Sequence, residues 1–139
     1  MALSARLAAI VDALPLAPGL RVLEIGCGPG AAARAVAARL GSGHILAIDR
    51  SATAVAQAAA ASAAEIAAGR MSVRRAAIED FALADGEAPF DLVFAVRVGA
   101  LDGRHPEAGR RALPRIAAAL APGGRVFTDG GDPLRELVL

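Results

Sequence analysis

At 139 residues, 55% hydrophobic and a net charge of +1, the chain has enough apolar material for one well-buried domain and too little length for two. Its 15 basic residues are all Arg and form no basic stripe, which argues against a nucleic-acid-binding surface, and no run reaches the roughly 18 apolar residues of a membrane span. Cys27 is the only cysteine, so no disulfide framework or multi-cysteine metal site is expected, and the chain reads as one untargeted cytoplasmic domain over residues 1–139.

Residues 1–19 should form a helix and turn, because Leu7, Ile10, Val11 and Leu14 recur at i, i+3, i+4 and i+7 behind a candidate cap at Ser4, and Pro15 and Pro18-Gly19 follow. This helix should lie against a sheet edge or roof the site. The core, residues 20–131, opens with an apolar strand run from about Leu20 to Ile25 that meets Gly26, Gly28 and Gly30. Glycines at the end of a buried strand allow a sharp turn and a close approach by a ligand. Ala31 to Leu40 holds neither Gly nor Pro, so a helix should start at the loop with its first amides facing that ligand.

The glycine spacing fits both G-x-G-x-x-A and G-x-G-x-G, and so leaves the nucleotide open. Glu24 decides between them. A carboxylate in an apolar strand would repel a pyrophosphate and suit a cationic ligand. After Gly41-Ser42-Gly43, His44 to Ile48 reads as a second buried strand. Asp49 closes it at about the 20-residue spacing from the glycines where a carboxylate meets ribose hydroxyls, although it could instead cap the next helix with Ser51. Ala52 to Ala68 predicts one long helix closed by Gly69, and Met71 to Ala76 a third strand. Phe90 to Val96 reads as a fourth strand, and Leu120-Ala121-Pro122-Gly123-Gly124 as a turn into a fifth, with Pro114 beginning or kinking the helix between them.

The Glu24-to-Gly30 loop, the Phe90-Asp91 strand start and the Leu120-to-Gly124 turn together resemble the class I S-adenosylmethionine-dependent methyltransferases, over about Leu20 to Phe127. The resemblance implies an α/β fold: a doubly wound, mainly parallel, Rossmann-like sheet of order 3-2-1-4-5 with helices on both faces. It implies S-adenosyl-L-methionine as cofactor and S-adenosyl-L-homocysteine as product. The methionine end would lie near Glu24, Gly26, Cys27, Gly28 and Gly30, the ribose at Asp49 and Arg50, and the adenine at Ile78 and Glu79, with Val96 at the end of strand four. Ala77 stands where many members carry Asp, which passes adenine recognition to Glu79 or Asp80 and to backbone near Ile78.

The cofactor brings the electrophile, so the protein need only position the acceptor and exclude water. Arg97, Asp102, Arg104 and His105 follow strand four. His105 is the candidate catalytic base, or alternatively a surface residue opening the next helix. The Asn-Pro-Pro-aromatic motif of many amino-methylating members is absent, and four Phe with no Tyr or Trp offer little stacking surface. A small-molecule acceptor is therefore expected. A non-catalytic cofactor-binding subunit and a nicotinamide-dependent oxidoreductase are the alternatives, the second opposed by Glu24 and by the two later motifs. Family members usually add an antiparallel sixth and seventh strand, whereas this chain stops at Leu139, so a short form with an exposed fifth strand is expected. The tail, residues 132–139, with Leu134, Leu137 and Val138 at i, i+3 and i+4, should act as an amphipathic turn that joins a homodimer or folds back over its own edge.

Overall fold

The computed structural model describes residues 3–139; Met1 and Ala2, the start of the expected domain, lie outside the described residues. The elements are α1 (Ala5–Ala13), β1 (Arg21–Ile25), α2 (Ala31–Ala37), β2 (His44–Asp49), α3 (Ala52–Ala61), α4 (Ala63–Ala67), β3 (Met71–Arg75), a 3₁₀ turn at Ile78–Asp80, β4 (Phe90–Ala95), α5 (Pro106–Ala119), β5 (Leu120–Thr128) and β6 (Arg135–Leu137). They build one sheet of order β3-β2-β1-β4-β5-β6. The first five strands are parallel and β6 runs antiparallel to β5.

The central strands β1, β2 and β4 are largely apolar because both faces of the sheet are covered there, as parallel sheets require. Val22, Leu92, Phe94 and Phe127 point to one face and pack with Val11, Ala33, Val36 and Ala58. Leu23, Ile25, Ile48, Val93 and Ala95 point to the other and meet Ile78, Phe81, Ala112 and Ile116. Ser4 caps α1 by accepting the Leu7 amide at 3.2 Å, and α1 buries Ile10 and Val11 on the α2 side of the sheet. Asp91 explains the Phe-Asp strand start: its Oδ2 accepts the Arg21 amide at 2.9 Å and ties the foot of β4 to β1.

Three expectations are corrected. The helix over Ala52 to Ala68 is broken into α3 and α4 at Ser62, which is fully buried and accepts a hydrogen bond from Arg34 Nη1 at 3.1 Å. Arg34 also donates to the Pro29 carbonyl at 2.9 Å, so this break is coupled to the glycine loop. Second, of the two places expected for Pro114, the start of the helix is taken by Pro106, and Pro114 lies inside α5. Third, the tail is a strand, not a helical turn: Leu137 pairs with Val126, and Arg125 holds Glu136 through two bonds of 3.0 and 2.8 Å. The fifth strand is thus covered by its own chain, and one short antiparallel strand stands where none was expected. No described helix is long and apolar enough to cross a membrane.

Candidate functional site

The order of the sheet reverses at β1, and a cavity of about 750 Å³ opens beyond the ends of β1, β2, β3 and β4. Such a switch point is where open α/β sheets bind ligands, because the connections leave in opposite directions and a crevice remains between them. Ile25 and Gly26 lie centrally. Asp49, Arg50 and residues 76–79 line one end, and residues 97–100 and 104–108 line the other.

The loop after β1 is held from below. Consecutive amides of Gly26 and Cys27 both donate to the Ile48 carbonyl, at 2.8 and 2.9 Å, and the Gly28 amide donates to Asp49 Oδ2 at 2.9 Å. A Cβ on Gly26 would lie 2.8 Å from Val98 Cγ2, so only glycine lets the chain after β4 close over the loop. Gly28 differs: it has φ +54 and faces open space, with nothing within 4 Å of an added Cβ. Gly30 is a packing glycine, its Cβ position 3.2 Å from Ala58 Cβ of α3.

Asp49 serves the loop and the next helix together, since its Oδ1 accepts the Ser51 amide at 2.9 Å while Ser51 caps α3. Each carboxylate oxygen thus accepts one amide and keeps capacity for a second donor. Arg50 pairs with Glu79 at 2.5 Å across the same end, and Ile78 is buried beside them. Glu24 is 3% exposed, and its Oε1 has no hydrogen-bond partner. Burial, and then the charge of Asp49, push its carboxyl up to about 8, so this group is largely protonated at neutral pH. Burial foremost also raises the Cys27 thiol to about 12, and its Sγ donates to the Gly28 carbonyl at 3.5 Å. The thiol is inert at neutral pH.

Of the residues singled out from the sequence, Gly26, Asp49, Arg50, Ile78, Glu79 and His105 line the cavity. Glu24, Cys27, Gly28 and Gly30 lie in β1 and its loop without lining it, and Val96 packs into the core of the α2 face. His105 is exposed and stands immediately before α5. Its amide donates to the Gly99 carbonyl at 3.0 Å, and its ring lies so close to Gly99 that a Cβ there would sit 2.2 Å from Cδ2. Asp102 is engaged by Arg104 at 2.8 Å. Sequence reasoning missed Val98, Gly99 and Ala100 as cavity wall; the small residues directly after a buried strand were the available signal.

The model of the methyltransferase-domain family matches residues 22–124. The chain is 34% identical over 125 residues to trans-aconitate 2-methyltransferase of Methylobacterium nodulans, covering 88% of this chain and 43% of that protein. It is 41% identical over 132 residues to protein-L-isoaspartate O-methyltransferase of Methylorubrum populi, covering 95% and 55%. Among solved structures it resembles phosphoethanolamine N-methyltransferase 2 of Haemonchus contortus in complex with S-adenosyl-L-methionine, at TM-score 0.71 and 28% identity, covering 88% of this chain and 27% of that one. The chain therefore spans about half the length of the curated relatives it matches. With a family match running from β1 into the turn before the paired part of β5, and with the sheet order and switch-point cavity in place, the chain belongs to the methyltransferase-domain family.

Proposed function

We propose that this chain is an S-adenosylmethionine-dependent methyltransferase, acting on a small-molecule acceptor and releasing S-adenosyl-L-homocysteine. The observation that carries the reading is the loop itself: Gly28 faces open space while its amide is fixed on Asp49, above a buried Glu24 whose Oε1 lacks a partner. These residues fit the cofactor's chemistry. Asp49 has lone pairs left for ribose hydroxyls, and Glu24 gains a reason to ionise when a cation comes near. Arg50, Ile78 and Glu79 bound the adenine end, Gly26, Cys27 and Gly30 shape the loop, and Val96 supports it from beneath β4. When bound, S-adenosylmethionine supplies a methyl group activated on a sulfonium. The protein's part is to orient the acceptor at the β4 end and to keep water out. His105 is the base in this reading, at the cavity rim.

The N-methyltransferase structure with S-adenosyl-L-methionine at 28% identity, and the methyltransferase names of the two curated relatives, support the reading. The proposal extends to a cytoplasmic homodimer that binds no nucleic acid: eight of the fifteen arginines are committed to ion pairs, and Val138, just after β6, is 94% exposed. Calorimetry with S-adenosylmethionine, S-adenosylhomocysteine and NAD tests the cofactor. Binding of the first two at about micromolar strength, near −8 kcal/mol, is expected, with none for NAD. Tight NAD binding alone would overturn it.

A further inference from the structure

Every arginine and glutamate lining the cavity is held in an ion pair, with a single exception. Arg50 is paired with Glu79, Arg104 with Asp102, and Glu107 with Arg110. Asp49 has one backbone amide on each carboxylate oxygen, those of Gly28 and Ser51. Arg97 stands apart: it is an exposed residue at the β4 end of the cavity, and among the described residues its guanidinium has neither an ion-pair nor a hydrogen-bond partner within the chain, which leaves it open to a ligand.

Its backbone supports the same conclusion. Arg97 is the one non-glycine residue with positive φ, at 57°, among the described residues, a strained conformation where glycine would sit freely. Arg104 Nη2 holds it there by donating to the Arg97 carbonyl at 2.9 Å, which also brings a second guanidinium to this end of the cavity. A strained backbone at a cavity wall is grounds for a functional reading of the residue that carries it. Asp49, which has amides but no counter-ion, lies at the other end, so the uncompensated charge at the β4 end is positive; a cationic or amine-bearing acceptor would be repelled there, and a single planar fork matches a carboxylate. A phosphate dianion would call for more than one uncommitted cation, and Arg50 and Arg104 are already paired.

We propose, resting on the methyltransferase reading, that the acceptor carries a carboxylate and that Arg97 is the specificity-determining residue that recognises it. The acid group is oriented at the β4 end, opposite the Asp49 end where the cofactor ribose is placed.

The test is a calorimetric titration with succinate, succinamide and inorganic phosphate, on protein saturated with S-adenosylhomocysteine and on ligand-free protein, for the native chain and for Arg97→Met and Arg97→Lys. Succinate should bind saturably and succinamide should not. Arg97→Met should weaken succinate by about tenfold or more, the scale of a lost charged hydrogen bond, and Arg97→Lys should recover part of it. Affinity for S-adenosylhomocysteine should be unchanged in both variants, which shows that they are folded. Equal binding of succinamide, tighter binding of phosphate, or an unaffected Arg97→Met would overturn the assignment, as would no succinate binding to either form. Failure of S-adenosylhomocysteine to bind would count against the cofactor reading alone, because the ligand-free succinate titration still decides Arg97.

Discussion

Glu24 sits in β1 between Ala47 of β2 and Phe94 of β4, where a charge has little to solvate it. Its folded pKa of about 8 lies above the ordinary 4.5, so between those values the folded chain holds a proton that the unfolded chain releases. Linkage then fixes the sign: stability is fully present below about pH 4.5, falls as pH rises through the window, and levels off above about 8. Urea unfolding at several pH values should show this slope, and Glu24→Gln should flatten most of it; an unchanged slope in the variant would mean that Glu24 is already ionised in the fold. Asp49 accepts two amides and, as proposed, the hydroxyls of a ribose. Asp49→Ala should weaken S-adenosylhomocysteine binding by about 1.5–3 kcal/mol, the range for a hydrogen bond to a charged group. Titration of the variant checks it, and an unchanged affinity would leave Asp49 only its tie to the loop and to Ser51.

Elements whose cause is local were readable in advance, and those fixed by distant partners were not. The strand, glycine loop and helix from Arg21 to Ala37 follow from an apolar run, turn glycines and an Ala-rich segment, all signals within a few residues of one another. Nothing between Ala52 and Ala68 announces the break at Ser62, because what stabilises it is Arg34, far off in sequence. In the tail, Leu134, Leu137 and Val138 suit a helical turn on spacing alone, and only pairing with β5 makes residues 135–137 a strand. That strand keeps Val126 and Phe127 at 2% and 7% exposure. A chain ending at Gly131 should therefore be less soluble and melt at a lower temperature, and light scattering should find the full chain dimeric. A full-length monomer that remains soluble and monomeric after truncation would contradict both the proposed dimer and the protective role of β6.

At the scale of the whole molecule, the site is a consequence of topology. Reversal of strand order at β1 leaves a crevice, the glycine loop and Asp49 close its β2 side, and the segment after β4, packed so tightly that Gly109 could carry no Cβ against the Ala100 carbonyl, closes the other. The first half was legible because carboxylate and glycine positions are set by strand ends. The second was legible only in part: Arg97, Arg104 and His105 stood out after strand four, but Arg97 gains its importance from the ion pairing of the other arginines and glutamates around the cavity, which no local pattern announces. The central claim is that the open face of the loop is cofactor space, and Gly28 tests it most directly. The account predicts that calorimetry finds S-adenosylhomocysteine binding to the native chain and none to Gly28→Val, while the far-ultraviolet circular dichroism of the two is the same, since an added Cβ has no heavy atom within 4 Å and the strain of a side chain at φ +54 stays within the loop. Undiminished binding by a folded Gly28→Val would contradict it.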